Sequence, residues 1–129
     1  MKTKTLFLVI TLLTVSFHVN AQVAGKKFQT NLEHIGIITM EFKASTYELS
    51  DSGGVKLVEG NYTKEGEIVT FIDTKGLMAC PSDVKGKYEL IIGNEELKIK
   101  LIDDECEGRA SILKVAWKQA ANVQETQVL

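Results

Sequence analysis

A hairpin motif that occurs twice constrains the fold of this chain more than any other feature of its sequence. Residues 60–73 begin with Gly-Asn-Tyr, turn at Glu-Gly and end with Ile-Asp, and Cys80 follows. Residues 86–103 begin with Gly-Lys-Tyr, turn at Gly-Asn and end with Ile-Asp, and Cys106 follows. Apolar and polar side chains alternate within each copy, which is the period of a half-buried β-strand. The repeat therefore predicts an antiparallel β-meander with the two cysteines at equivalent corners.

The first 21 residues are expected to be a secretory signal. Lys2 and Lys4 supply a charged start, residues 6–15 form an apolar segment too short to span a bilayer, and Ala21 has the small side chain of a cleavage site. The alternative is a retained anchor, which the short apolar segment disfavours. Residues 1–21 are thus interpreted as the signal, and the mature protein is expected outside the cytoplasm, periplasmic or extracellular, without stable membrane insertion.

Residues 22–129 are long enough for one domain with a modest core. Their final part, residues 119–129, is polar and is expected to fray. The signal takes two of the fifteen basic residues, so the mature chain holds thirteen against seventeen acidic residues, a net charge near −4. Proteins that bind nucleic acid need a basic face, so a nucleic-acid partner is not expected.

The two cysteines, Cys80 and Cys106, are predicted to form a disulfide. Each follows the second strand of a hairpin, so both are expected at the same end of the sheet, and exported proteins retain disulfides. The alternatives are metal ligands or a reactive thiol, but the chain has neither a CxxC spacing nor a nearby histidine.

Alternation along the chain predicts seven strands and a short additional one near residues 27–31. The last predicted strand, residues 109–118, places Leu113, Val115 and Trp117 on one face. Connections at residues 44–45, 65–66 and 93–94 are tight, whereas those at 50–54, 74–85 and 103–108 are longer. This pattern is typical of an all-β, up-and-down meander closed into a barrel of about eight strands with one pinched end.

Several segments resemble the small secreted lipocalin-like domains of bacteria. They are residues 42–47, 60–62 (Gly-Asn-Tyr), 69–71 (Val-Thr-Phe), 75–80 (Lys-Gly-Leu-Met-Ala-Cys) and 103–109 (Asp-Asp-Glu-Cys-Glu-Gly-Arg). The similarity covers residues 30–118 and implies an eight-stranded lipocalin-like, calycin-like β-barrel with an apolar ligand cavity. The Gly-x-Trp of classical lipocalins is absent at residues 25–27, and Trp117 lies near the other end of the chain.

Alternation directs a set of side chains into the barrel, where a small apolar or amphipathic molecule could bind. Arg109, the only arginine, is an anchor for an anionic head group in this interpretation, because guanidinium recognises carboxylates bidentately. The alternatives are that Arg109 pairs with nearby carboxylates and that the apolar set is an ordinary core. The predicted ligand-binding residues are Phe42, Tyr47, Tyr62, Tyr88, Leu90, Leu101, Arg109, Val115 and Trp117.

No sequence motif indicates catalysis, a cofactor or a metal. His34 is the only histidine after the signal, and it is in phase with the inward residues of its strand. No nucleophile motif accompanies it, so a structural or rim histidine is favoured over a catalytic base. The acidic residues around 103–107, together with Asp73 and Asp83, lack the spacing of a calcium loop and are expected to form a solvated rim.

Two functions follow from these observations. The first is a secreted lipocalin-like binding protein for a small apolar or amphipathic molecule. The alternative is an exported interaction or inhibitor protein that docks on a protein partner through loop 74–85, which carries Leu77, Met78 and Pro81 beside Cys80.

Overall fold

The computed structural model describes residues 23–120, which form eight antiparallel strands and one short helix. The strands are β1 (Lys27–Leu32), β2 (Gly36–Phe42), β3 (Thr46–Ser50), β4 (Lys56–Glu65), β5 (Ile68–Lys75), β6 (Lys85–Ile92), β7 (Glu96–Asp104) and β8 (Trp117–Gln119). The helix, α1 (Glu107–Leu113), lies between β7 and β8. Each strand pairs with the next, and β8 pairs with β1, so the sheet is a closed barrel. The predicted all-β meander barrel is confirmed.

Alternating side chains fill the interior of this barrel. In β2, Ile38, Met40 and Phe42 are buried, and Val69 and Phe71 repeat the pattern in β5. A barrel of eight strands is just wide enough for side chains to fill. The largest fully buried side chains are those of Trp117, Tyr47, Tyr88, Phe28, Phe42 and Phe71.

The two ends of the barrel differ as the connection lengths predict. Short turns join β2 to β3, β4 to β5 and β6 to β7, whereas residues 51–55, 76–84 and 105–116 connect strands at the opposite end, here called the long-loop end. Both ends of the described chain lie at the short-turn end, where Gly25 N–H bonds Phe42 O and Ala120 N–H bonds Lys27 O. Neither end of the described chain, residue 23 or residue 120, therefore lies at the long-loop end.

The described residues cover only part of the predicted terminal segments. The predicted signal and residues 121–129 of the predicted tail lie outside them. Gln119 and Ala120, which belong to that tail, donate backbone hydrogen bonds to the carbonyls of Glu95 and Lys27; Gln119 is the last residue of β8, and Ala120 directly follows it. Within residues 23–120, no helix has the length and apolarity needed to cross a bilayer.

The prediction of one strand over residues 109–118 is wrong. Residues 107–113 form α1, and only Trp117–Gln119 form a strand. The buried residues of α1 are Arg109, Ile112 and Leu113, which is the i, i+3, i+4 spacing of a helix face. Leu113 in α1 and Trp117 in β8 are both buried in the core. Val115 lies in the connection between these two elements and is half-buried against the core.

The prediction that Leu101 points into a closed interior is also wrong, since 51% of its surface is exposed. A bulge follows the Tyr88–Leu101 pair and leaves Ile102 without a partner. Strand β8 is short and reaches only the first two residues of β7. Leu101 therefore lies in a part of β7 that β8 does not reach, so this part of β7 has no paired strand on that side.

Candidate functional site

The disulfide between Cys80 and Cys106 links two of the loops at the long-loop end, as predicted. Their Cα atoms are 6.2 Å apart, within the usual range for a disulfide. Cys106 immediately precedes α1, and Cys80 lies in the middle of the loop between β5 and β6. The bond therefore fastens the start of the helix to the loop between β5 and β6.

Asp73 is a buried carboxylate at the long-loop end of β5, with 1% of its surface exposed. It accepts hydrogen bonds from the Tyr47 hydroxyl and from the Cys80 backbone N–H, the latter at 2.8 Å. The aspartate of the first hairpin copy is thus bonded to the cysteine that follows it.

Asp104 is the matching carboxylate of the second hairpin copy. It accepts hydrogen bonds from the Tyr88 hydroxyl and from the Cys106 backbone N–H, the latter at 2.9 Å. The repeat predicts Asp103 as the counterpart of Asp73. The bulge in β7 adds one residue to that strand, so the residue that faces inward is Asp104. Each corner therefore joins an aspartate to the cysteine that follows it and to a tyrosine, which is the Gly-x-Tyr residue Tyr88 at the second corner but Tyr47 of β3 at the first.

Arg109 joins these two corners. Its Nε and Nη2 donate to Asp104 at 2.6 and 2.9 Å, and Nη2 also donates to the Val84 carbonyl at 2.9 Å. Its Nη1 lies 3.3 Å from Asp73 Oδ1 but makes no hydrogen bond. Nε and Nη2 of the guanidinium are therefore satisfied by the protein, whereas Nη1 has no hydrogen-bond partner.

The glycine of each Gly-x-Tyr copy makes room for this network. A Cβ on Gly60 would stand 2.7 Å from the Tyr47 ring, and a Cβ on Gly86 would stand 2.9 Å from Arg109 Nε. Both distances are too short for carbon, so these positions require glycine on steric grounds. The repeat preserves a close approach of the backbone at both corners.

Burial and neighbouring charges shift the pKa values of Tyr47, Tyr88, Asp104 and Arg109. Burial and the neighbouring Asp73 raise the pKa of Tyr47 well above its usual range, and burial and Asp104 do the same for Tyr88. Burial alone would raise the pKa of Asp104, but hydrogen bonds from Arg109, Tyr88 and the Cys106 N–H outweigh it and lower that pKa.

Arg109 also keeps its charge. Burial lowers its pKa, but the two carboxylates outweigh that and raise it. At neutral pH, Tyr47 and Tyr88 are thus neutral donors, Asp104 is an anion and Arg109 is a cation.

Most of the predicted interior residues are brought together inside the barrel. Phe42 and Tyr62 meet edge to face at 5.3 Å between ring centroids. Tyr47 and Tyr88 contact Phe71 at 4.7 and 5.7 Å, although Phe71 was not predicted as a site residue. Leu90 and Trp117 are also buried, whereas Arg109 lies in the polar network and Leu101 outside the core. The aromatic residues pack against one another.

A small cavity lies beneath the long-loop end, between α1 and strands β3 and β4. The space that the centre of a water molecule can occupy is about 10 Å³, which is room for one water. Its lining residues are Tyr47, Leu49, Val58, Asp73, Met78, Arg109, Ile112 and Leu113. Trp117 Nε1 donates to the Leu113 carbonyl at 3.2 Å, which connects the tryptophan to the cavity wall.

The loop between β5 and β6 carries an exposed apolar tip, here called the loop patch and formed by Leu77 and Met78. Leu77 is 81% exposed, the most of any large apolar side chain in residues 23–120, and Met78 is 39% exposed. The loop backbone is held in place because Met78 N–H donates to Leu57 O at 2.9 Å and Cys80 is in the disulfide. Gly76, at φ +130°, packs directly on the Leu57 backbone.

The predicted acidic rim is only partly solvated. Asp83, Asp103 and Glu105 are exposed, but the expectation fails for Asp73 and Asp104, whose carboxylates pair with Arg109. Across residues 23–120, no three His, Cys, Asp or Glu side chains are grouped as metal ligands.

His34 does not point into the barrel. It is exposed in the turn between β1 and β2, with a left-handed φ of 76°. The inward orientation predicted for it is wrong because the strand begins only at Gly36.

Compared with protein-family models, curated proteins and solved structures, the chain has no match. The closed eight-stranded antiparallel barrel is compatible with a calycin-like fold. Membership of the lipocalin-like family stays a prediction from the sequence.

Proposed function

We propose that this protein is an exported binding module, without catalytic activity, that docks on a partner protein through the loop patch. The observation that carries the proposal is the 81% exposure of Leu77 on a loop whose backbone is fastened on both sides. The matching partner surface is an apolar pocket that accepts a leucine side chain.

The restrained backbone of the loop between β5 and β6 favours high affinity for the partner protein. Binding by a mobile loop costs conformational entropy, and a loop already held in its bound shape avoids that cost. The Leu57–Met78 hydrogen bond, the packing of Gly76 and the disulfide at Cys80 all restrain the segment that carries Leu77. Leu77 on such a loop can bury its apolar side chain in a pocket of the partner without the cost of ordering the backbone first.

The filled barrel interior supports recognition on the surface. The cavity has room for one water molecule, and the aromatic rings of Phe42, Tyr47, Phe71 and Tyr88 are packed against each other. This cavity is far smaller than the roughly 300 to 1,000 Å³ that a drug-sized ligand needs, which favours recognition on the surface.

Site-specific photo-crosslinking tests this proposal. A photoreactive amino acid replaces Leu77 in one variant and Ile37 in a matched control, since Ile37 is 48% exposed on the barrel wall. Both variants are expressed in the native host and irradiated after export. We expect one discrete protein adduct at position 77 that is missing at position 37. Equal labelling at both positions, or no adduct at 77, would refute docking through the loop patch.

A second candidate function is binding of a small amphipathic molecule, as the lipocalin-like resemblance implies. The observation that favours it is the buried Nη1 of Arg109, which has no hydrogen-bond partner and lies among apolar walls beneath Met78, where the cavity as it stands has room for one water molecule. Apolar walls with a few directed polar groups are typical of ligand sites.

A further inference from the structure

We infer that the unpaired edge of β7 is an interface at which two copies of this chain pair as an antiparallel, two-fold symmetric dimer. This edge is formed by residues 98–104 and is here called the β7 edge. Within residues 23–120, β8 pairs only with Glu96 and Leu97, so no strand covers the β7 edge on that side. This surface is distinct from the loop patch, and its occupant is distinct from the partner protein that the loop patch binds.

Backbone groups at the β7 edge are open to another strand. The Gly93 N–H donates to the Glu96 carbonyl at 2.9 Å, so the backbone groups of Glu96 face β6. The hydrogen-bonding groups of successive residues point to alternate sides of a strand, so those of Ile99 and Leu101 point away from β6, beyond the residues that β8 reaches. An edge that presents N–H and C=O groups in this way is a template for pairing with another chain.

Two adjacent apolar side chains lie in the middle of the β7 edge. Leu101 and Ile102, here called the apolar pair, are each 51% exposed. Burial of apolar surface is favourable in proportion to the area removed from water, so a second strand across this position would gain free energy from both side chains. The β7 edge therefore offers apolar area as well as backbone groups to a second strand.

The charges on either side of the apolar pair identify that strand as a second copy of the β7 edge. Lys98 and Lys100 precede the apolar pair, Asp103 and Glu105 follow it, and all four are exposed. An antiparallel copy, related by a two-fold axis through the apolar pair, places each Lys100 opposite Asp103 of the second copy and each Lys98 opposite its Glu105. Opposite charges directly across two strands stabilise their pairing, whereas like charges destabilise it. A parallel copy in the same register would place lysine against lysine.

The bulge in β7 brings the charges of this register to one face. In a regular strand, two residues that are three positions apart lie on opposite faces. Because the bulge adds a residue at Ile102, Lys100 and Asp103 are both exposed on the outer face, while Ile99 and Asp104 face inward. Lysines and bulges usually protect an edge strand from pairing. Here Asp103 on the same face reverses that effect for one occupant, a second copy of the β7 edge.

Sedimentation velocity of the full exported protein tests this dimer through a charge exchange. We expect a monomer–dimer equilibrium with a Kd of about 1 to 100 μM, because a single strand pair is a small interface. Lys100→Glu should weaken dimerisation at least about tenfold, since the new carboxylate faces Asp103 of the second copy at two symmetric positions. Lys100→Glu/Asp103→Lys should return dimerisation to within about threefold of the wild type, because opposite charges face each other again. Lys87→Glu, the same change at an exposed position of β6, is the control and should alter dimerisation less than about twofold.

The double variant separates pairing between copies from effects within one chain. In the pairing of β6 with β7, Lys100 lies opposite Glu89, and Asp103 lies opposite Lys87. Both substituted positions of the double variant therefore face a like charge within their own chain, so only pairing with a second copy can restore the dimer. Far-ultraviolet circular dichroism of each variant confirms that it is folded.

Hydrogen exchange shows whether the dimer uses the β7 edge. We expect the Leu101 backbone N–H to exchange with solvent more slowly as the protein concentration rises through the Kd. A monomer at every concentration up to about 1 mM would overturn the self-pairing, as would a double variant that dimerises no better than Lys100→Glu alone. If the protein stays monomeric and the partner captured at position 77 slows exchange at Leu101, the β7 edge binds that partner instead, and self-pairing is refuted.

Discussion

Arg109 holds Asp104 with two parallel hydrogen bonds, from Nε to Oδ2 at 2.6 Å and from Nη2 to Oδ1 at 2.9 Å. This pair fastens α1 to the last residue of β7. An isolated helix of seven residues is unstable in water, so α1 depends on such tertiary contacts. The pair and the disulfide together close the long-loop end of the barrel.

Replacing Asp104 by asparagine should destabilise the fold strongly. The change removes the carboxylate that accepts two hydrogen bonds from the buried guanidinium of Arg109 and leaves only Asp73, at 3.3 Å, as its ionic partner. Breaking a buried pair costs about 3 kcal/mol or more. Urea unfolding followed by circular dichroism measures the loss. Asp103→Asn is the control, because Asp103 is exposed and its substitution should cost less than about 0.5 kcal/mol. Equal stabilities of the two variants would show that the buried pair contributes nothing.

The stability of the protein should fall as the pH rises above 10. The pKa values of Tyr47, Tyr62 and Tyr88 are raised from their ordinary value of 10.0. Above pH 10 the unfolded chain loses these phenolic protons while the folded protein keeps them. Their contribution is therefore complete below pH 10 and is lost with rising pH, at about 1.4 kcal/mol per pH unit for each fully protected tyrosine.

Absorbance at 295 nm tests this directly because it counts ionised tyrosines. We expect no ionisation in the folded protein at pH 10, followed by a cooperative step that coincides with loss of the circular dichroism signal. Tyr88→Phe should make the decline of stability with pH shallower, since one of the titrating groups is gone. A tyrosine that ionises near pH 10 in the folded protein would contradict the burial and hydrogen bonding of the three tyrosine hydroxyl groups.

The sequence predicted most of the architecture because its alternation is regular. The strands, the contrast between short and long connections and the disulfide all follow from period-2 patterning and the repeated hairpin. α1 was missed because Leu113, Val115 and Trp117 alternate as a strand would, although they lie in a helix, a connection and a strand. The spacing of Arg109, Ile112 and Leu113 was the signal that favoured a helix.

The polar network could be predicted only in part. The repeat marks a glycine, a tyrosine and an aspartate in each copy. In the second copy that aspartate is Asp103, but the bulge in β7 turns Asp104 inward instead. A bulge depends on hydrogen bonding between neighbouring strands, which a single strand's pattern does not contain. Arg109 was expected near these carboxylates, but its burial between both corners depends on the helix.

Gly86→Ala should destabilise the protein, and Gly93→Ala should not. A methyl group on Gly86 would collide with the Asp104 carboxylate and with Arg109, whereas one on Gly93 would meet no atom within 4 Å. Overpacking a close approach costs about 1 to 3 kcal/mol. The two variants carry the same chemical change, so the difference in their urea midpoints isolates the contact. A stability loss that is no larger for Gly86→Ala than for Gly93→Ala would refute the steric role of the repeated glycine.

Reducing the disulfide should cost about 3 to 4 kcal/mol of unfolding free energy, because it closes a loop with a sequence separation of 26 residues. The Cys80→Ala/Cys106→Ala double variant should match the reduced wild type. The backbone N–H groups that donate to Asp73 and Asp104 remain in that variant, so the loss isolates the covalent link. Urea unfolding with and without reductant measures it, and identical midpoints would show that the loops are held without the disulfide.

The affinity of the crosslinked partner for Leu77→Ala tests the central claim, docking through the loop patch, most directly. Isothermal titration calorimetry compares wild type with Leu77→Ala and with Ile37→Ala, two truncations of exposed apolar side chains. We expect Leu77→Ala to weaken binding at least about tenfold, or about 1.4 kcal/mol, and Ile37→Ala to change it less than about twofold. Unchanged affinity of Leu77→Ala, or an equal loss in both variants, would contradict recognition through this loop.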